Sequence, residues 1–226
     1  PQAKLAELLC RHTFADRVFF SNSGAEANEG MIKLARKYSF DKYGKGRGTV
    51  ITLNKSFHGR TITIITMSND PESYANYGPM TPGFLRIPYN DPDALEKCLA
   101  EHGKKVAGFL VEPIQGEAGV YVPDEGYLKK CYDICKKYNV LFMADEVQCG
   151  IARTGKMLAC DHEGVRPDLL ILGKALGGGV MPVSAVLADD DIMLNIKPGE
   201  HGSTFGGNPI AAKVSIAALQ VIKDEH

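Results

Sequence analysis

Residues 106–148 read VAGFLVEPIQGEAGVYVPDEGYLKKCYDICKKYNVLFMADEVQ, and two apolar runs in this stretch, 106–111 (VAGFLV) and 140–144 (VLFMA), bracket an amphipathic segment at about 125–138. Short apolar runs without polar alternation suit strands covered on both faces. Between them Leu128, Cys131, Tyr132, Cys135 and Tyr138 recur at helical spacing, which puts them on one buried side of a helix. A strand, a helix and a second strand in that order build a parallel sheet with helical cover.

The same alternation extends to both ends. Strands are expected at 17–20 (RVFF), 49–53 (TVITL), 84–87 (FLRI), 169–172 (LLIL) and 183–187 (VSAVL), and helices at about 2–13, 25–43, 92–102 and 154–163. The expected fold class is α/β, a mostly parallel sheet flanked by helices on both faces. No repeat, low-complexity tract or Pro/Ser-rich linker divides the chain, so 1–226 reads as one domain. It opens inside one helical pattern and closes inside another, NPIAAKVSIAALQVIKDEH, without a stop signal, and is expected to be truncated at both ends.

With 226 residues, 44% of them hydrophobic, the chain can bury one sizeable core. A net charge of −1 with acids and bases interspersed leaves no basic stripe for nucleic acid, and the default partner is a small molecule. The apolar runs are too short to span a bilayer, and the opening PQAKLAELLCRH lacks a signal peptide's apolar core, so a cytoplasmic location is expected. Six cysteines without CxxC spacing or a His-rich neighbourhood read as reduced thiols, with no metal site.

In parallel sheets ligands collect where strands end, so the residues after each run carry the functional reading. Ser21-Asn22-Ser23-Gly24-Ala25-Glu26 follows a strand and opens a long helix; small residues there let an anion reach free backbone N–H groups, the alternative being an ordinary helix cap by Ser23 or Asn22. Asp145-Glu146 ends a buried strand. A carboxylate there needs a positive partner, for which a protonated pyridine nitrogen, a metal ion or a helix N-terminus would each serve. Lys174 follows four apolar residues and precedes a glycine run, a setting in which burial would make its amine nucleophilic. Ser203 and Thr204, flanked by glycines in Gly199–Pro209, could cup phosphate oxygens, although a plain turn would look the same. Phe57 and Arg60, just after another strand, could hold a planar ring and a carboxylate, or serve as core packing and a surface ion pair. His58 between them reads as structural.

Together the strings FFSNSGAEANE, FHGRT, VEPIQGEAGV, ADEVQCGIARTG, LGKALGGG and HGSTFGGNP resemble the class III aminotransferases of pyridoxal-phosphate fold type I over nearly the whole chain. The resemblance implies pyridoxal 5'-phosphate as cofactor, held by Lys174 as a Schiff base. It implies that Asp145 pairs with the pyridine nitrogen, Gln148 contacts the ring hydroxyl and Phe57 stacks on the ring. Gly24 and Ala25 are implied as phosphate ligands through their backbone, with Thr204 and the adjacent Ser203 reaching the phosphate of a neighbouring subunit in a homodimer with shared sites. Arg60 is implied to hold a substrate carboxylate, and Glu117 to cover an arginine of a C-terminal domain until 2-oxoglutarate arrives. Within the class, IPYND, VYVPDEGYL and KPGEHGSTFGGNP are most similar to the ornithine branch and SGAEANEGMIKLARKY also to the acetylornithine branch. The implied reaction moves the δ-amine of ornithine to 2-oxoglutarate, giving glutamate semialdehyde and glutamate. Acetylornithine transamination, a decarboxylase or aminomutase of the same fold, and a non-catalytic remnant are the alternatives. Two departures are Cys149, where DEVQTG is usual, and the family's greater length, which makes 1–226 the cofactor-binding large domain without its small-domain segments.

Overall fold

The computed structural model describes residues 1–225. Seven strands, β1 (Arg17–Ser21), β2 (Thr49–Leu53), β3 (Phe84–Ile87), β4 (Val106–Val111), β5 (Leu141–Asp145), β6 (Leu169–Leu172) and β7 (Ser184–Ala188), form one sheet in the order β1-β7-β6-β5-β4-β2-β3. The pairings from β6 across to β3 are parallel, whereas β7 runs against both β1 and β6. The mostly parallel expectation is therefore met, with one reversed strand that apolar patterning could not reveal, because VSAVL reads the same in either direction of pairing.

Strand periodicity divides the core. Phe142 and Ala144 of β5 point to one face, with Phe109 and Val111 of β4 and Leu170 and Leu172 of β6. That face is covered by α1 (Gln2–His12), α5 (Pro92–His102), α6 (Tyr127–Lys137) and α8 (Pro209–Glu225), which bury Leu5, Leu95, Cys131 and Leu219 among others. Leu141 and Met143 point to the other face, against Met31, Leu34 and Ala35 of the long helix α2 (Gly24–Tyr43). Asp145 follows in the same odd-numbered register, so its side chain falls on the α2 face.

The sequence also suggests a helix at about 154–163, and the structure corrects this: turns fill the segment up to a short 3₁₀ helix, Ala159–Glu163. Its backbone N–H groups are used otherwise, since the buried Glu146 carboxylate accepts from Ala159 N at 2.6 Å and Cys160 N at 2.9 Å. Three single-turn helices, α3 (Ile62–Ile65), α4 (Pro71–Tyr74) and α7 (Asp190–Met193), are too short to leave a periodic signal. Cysteines 131 and 135 are buried and all six are free thiols, as read from the sequence. Among the described residues no helix is long and apolar enough to cross a membrane.

Phe142 is fully buried and packs edge-on against Phe109 and Tyr132, with ring centroids 5.9 and 5.8 Å away. Phe142→Ala should cost about 3–5 kcal/mol through lost burial and the cavity left behind. Urea denaturation monitors this, and a loss under about 1 kcal/mol would show that the centre of the sheet closes over the gap.

Candidate active site

The carboxyl ends of β1, β5 and β6 lie side by side because of the sheet register: Ser21 pairs with Ser184 of β7, and Asp145 with Ile171 of β6. The seam at β7 is closed by a hydrogen bond of 2.8 Å between the buried Ser21 and Ser184 hydroxyls, and Ser184 Oγ also donates to Ser23 O at 2.7 Å. Above these ends opens a cleft of about 310 Å³ whose lining includes Gly24, Ala25, Phe57, Asp145, Gln148 and Lys174. Six residues chosen from four separate stretches of sequence thus meet in one place.

Helix α2 presents its N-terminus to the cleft. Ser23 caps it and Glu26 closes a capping box, accepting from Asn22 N and Ser23 N at 2.9 Å each. The cap reading holds and is compatible with the anion reading, because the box occupies the N–H groups of Asn22, Ser23 and Glu26 and leaves those of Gly24 and Ala25 without an acceptor among the described residues. Gly59 holds this turn in place: with φ at +129°, it lies so close to Ala25 that an added Cβ would sit 2.6 Å from the Ala25 methyl. Only glycine satisfies both conditions.

Asp145 is 4% exposed and fully engaged on one oxygen. Its Oδ2 accepts from Asn28 Nδ2 at 2.9 Å and contacts His58 Nδ1 at 2.7 Å, while Oδ1 accepts from Val147 N at 3.1 Å. The neighbouring Glu146 turns to the opposite side and is spent on the 3₁₀ backbone. The two acids therefore do not form a shared metal site, and no group of three or more metal-ligating side chains occurs among the described residues. Cys149 packs directly beneath, its buried thiol 3.9 Å from Asp145 O, with burial raising its pKa. The sequence departure at that position is absorbed in the core.

Lys174 corrects one expectation. It is not buried: β6 ends at Leu172, Gly173 is extended, and Lys174 turns back with φ at +40°, which leaves its side chain 52% exposed in the cleft. A non-glycine residue in left-handed backbone stores strain, of the kind found where function overrides local preference. Its Nζ lies 3.5 Å from Glu117 Oε1, and Gln148 Nε2 donates to the same oxygen at 3.3 Å. Glu117 is thereby brought to the cleft's edge.

Arg60, Ser203 and Thr204 do not line this cleft. Arg60 is exposed, its guanidinium 5.4 Å from the Phe57 ring centre. Ser203 Oγ accepts from Asn22 Nδ2 at 3.2 Å and from Gly206 N at 3.0 Å, so it ties the loop to its own chain, while Thr204 is exposed. Sequence reasoning assigned no site role to Asn28, His58 or Glu112, although it marks Glu112-Pro113 as a strand end facing ligands. His58, read as structural, is in direct contact with the key carboxylate. Glu112, buried at the end of β4, accepts Phe57 N at 2.8 Å and so fixes the backbone of the aromatic residue. The available signal was position alone: Glu112 ends a strand, His58 is beside Phe57, and Asn28 lies one helical turn after Gly24.

A family model described as "Aminotransferase class-III" matches residues 1–226. The mitochondrial ornithine aminotransferase of Arabidopsis thaliana is 55% identical over 222 residues, covering 97% of this chain and 47% of that protein. The crystal structure of ornithine aminotransferase from Toxoplasma gondii ME49 superposes with a TM-score of 0.96 at 47% identity, over 99% of this chain and 53% of that one. A further structure of the Toxoplasma gondii enzyme is described as having partial occupancy of PLP at its active site. The acetylornithine aminotransferase of Elizabethkingia anophelis follows at TM-score 0.86 and 51% identity, over 99% of this chain and 52% of that one. The chain spans about half the length of the relatives it matches.

Burial pushes Glu112 from 4.5 up to about 7. An acid whose folded pKa is raised stabilises the fold in its protonated form, so that contribution is complete below pH 4.5 and is lost as the pH rises towards about 7. Glu112→Gln keeps the oxygen that holds Phe57 N but has no charge to desolvate. Its unfolding free energy from urea denaturation should gain on the wild type by on the order of 1–3 kcal/mol between those two pH values. Parallel pH profiles would show that Glu112 is hydrated in solution.

Proposed function

Since the chain belongs to the class-III aminotransferase family, we propose that residues 1–226 are the cofactor-binding large domain of a pyridoxal-phosphate-dependent ornithine δ-aminotransferase. The observation that carries the reading is the cleft itself, which joins two unused backbone N–H groups, an aromatic ring, a buried carboxylate and a primary amine. These groups fit the cofactor part by part. A helix N-terminus with free N–H groups suits a phosphate, a buried acid suits a protonated ring nitrogen, and Asn28 Oδ1 is a buried oxygen with no partner among the described residues.

When bound, pyridoxal phosphate supplies an aldehyde that takes an amine covalently and a protonated ring that draws off electron density as the neighbouring carbon loses a proton. The chain's residues do the rest. Gly24 and Ala25 would donate their N–H groups to the phosphate. Phe57 would cover one ring face, Gln148 would contact the ring hydroxyl, and Asp145 would keep the ring nitrogen protonated. Lys174 would hold the cofactor through Nζ, and its amine, once freed by the substrate amine, would serve as the base that moves the proton at the carbon bearing the transferred nitrogen. Arg60 is assigned to a substrate carboxylate. Glu117 is assigned to the oxo-acid half of the cycle, covering an arginine supplied from outside 1–226 until 2-oxoglutarate enters. Ornithine leaves as glutamate semialdehyde and 2-oxoglutarate as glutamate. The likeness to the Elizabethkingia anophelis enzyme supports a second reading, with N-acetylornithine as the amine donor. The cytoplasm is retained as a proposed compartment beside the mitochondrion named for the Arabidopsis thaliana relative, and fractionation of source cells decides between them.

In the full-length enzyme Lys174→Ala should remove the visible absorbance of the bound cofactor and lower turnover by about a thousandfold or more. A variant that still cycles at the wild-type rate overturns the assignment. Steady-state kinetics with both amines on the wild type rank the two readings, and a much higher kcat/KM for N-acetylornithine would favour the second.

The dimer is proposed on Ser203 and Thr204, in a glycine-rich loop whose Thr204 side chain is exposed and thus free to reach a phosphate in a neighbouring subunit. Mixing Lys174→Ala with Thr204→Trp should restore part of the activity, because one site of the heterodimer then escapes both lesions. Absence of recovery despite proven subunit exchange would mean that the loop serves its own subunit.

A further inference from the structure

We infer that His58 is a positioning residue of this site: a buried imidazolium that keeps Asp145 ionised and leaves Asp145 Oδ1 for the cofactor's ring nitrogen. The inference rests on the reading of Asp145 given above and adds what holds that acid ready.

A carboxylate taken out of water reverts to the neutral acid unless a positive group or several donors compensate. Among the described residues no lysine or arginine pairs with Asp145; its one ionisable partner is His58, at 2.7 Å, with the two side chains 1% and 4% exposed. That separation falls in the range of charge-assisted N–H to carboxylate bonds. The two oxygens are also sorted. Oδ2 receives both His58 Nδ1 and Asn28 Nδ2, which fills its two acceptor positions, whereas Oδ1 receives only Val147 N and keeps one position. Asn28 Nδ2 lies 3.0 Å from His58 O as well, which locks the histidine backbone to the acid it serves. The next residue, Gly59, is wedged against Ala25, so the imidazole has little room to withdraw.

The far nitrogen of the ring, Nε2, is buried without a partner among the described residues. A ring placed only for packing would be better replaced by an apolar one, because every protonation state of His58 leaves that atom unsatisfied. Burial alone would lower the pKa of His58, but the Asp145 hydrogen bond and charge, aided by Glu112, outweigh it and raise the ring above its usual 6.5. Glu112 approaches from β4, Asp145 from β5.

The test uses the full-length enzyme. In the cofactor-free protein labelled with ¹⁵N-histidine, the ring signal lost in His58→Asn should show both nitrogens protonated at a pH of about 7.5, a full unit above the usual histidine value. In Asp145→Asn the same signal should lose its proton at lower pH. His58→Asn retains a donor near the position of Nδ1 but no charge, and should weaken equilibrium binding of pyridoxal phosphate by about ten- to a hundredfold. It should lower kcat as well, with the KM for the amine little changed. A neutral ring at that pH in the wild type overturns the inference, and this arm stands even if the variant fails to fold. Wild-type cofactor affinity and kcat in His58→Asn, alongside clear losses in Asp145→Asn, overturn it while sparing the Asp145 reading. Wild-type behaviour of both variants sinks the Asp145 reading, and this inference with it.

Discussion

A carboxylate at the buried end of a central strand is the constraint on which the rest of the site depends. Leaving Asp145 charged and unpaired in the interior would cost several kcal/mol, roughly the whole stability margin of a domain. The fold meets that cost by converging three elements on one oxygen pair: α2 through Asn28, the segment after β2 through His58, and the turn after β5 through the Val147 amide. The Val147 contact is local to its turn, but those of Asn28 and His58 require elements far apart in the chain to pack against β5 in one register. The alternation that sends Phe142 and Ala144 to one face and Met143 to the other also delivers Asp145 to α2. Site and core are thus specified by the same packing.

The other half of the cleft follows from how chain ends are handled. The capping box at Ser23 and Glu26 satisfies the N–H groups on either side of Gly24 and Ala25 and leaves theirs directed at solvent or ligand. A helix this long concentrates partial positive charge at that turn, which suits an anion. Opposite it, the reversed strand β7 brings Val183 and Pro182 to the cleft and joins β1 to β6. Without that strand, Ser21 and Leu172 would not end at the same level, and the anion turn would be remote from the amine.

Lys174 illustrates a trade of local against global preference. Its left-handed backbone is disfavoured, and its side chain is left half in solvent, held by Glu117. What the strain secures is direction. An extended continuation of β6 would carry the amine past the cleft, whereas the turn sets it beside Gln148 and Glu117.

From the residues alone came the strand and helix alternation, the mostly parallel sheet, and five of the cleft-lining residues, Gln148 coming from the family resemblance, because strand burial and small-residue turns depend on neighbours in sequence. Only the tertiary structure decided that β7 is reversed, that 154–163 is mostly turns, that Lys174 is half exposed and that His58 belongs to the site. Each of these depends on partners far along the chain: Glu146 taking the Ala159 and Cys160 amides, and Asp145 lying 87 positions from His58. A local pattern can report that a side chain will be buried. It cannot report which distant group will be buried against it, and for a histidine or a carboxylate the identity of that group is what decides charge and role.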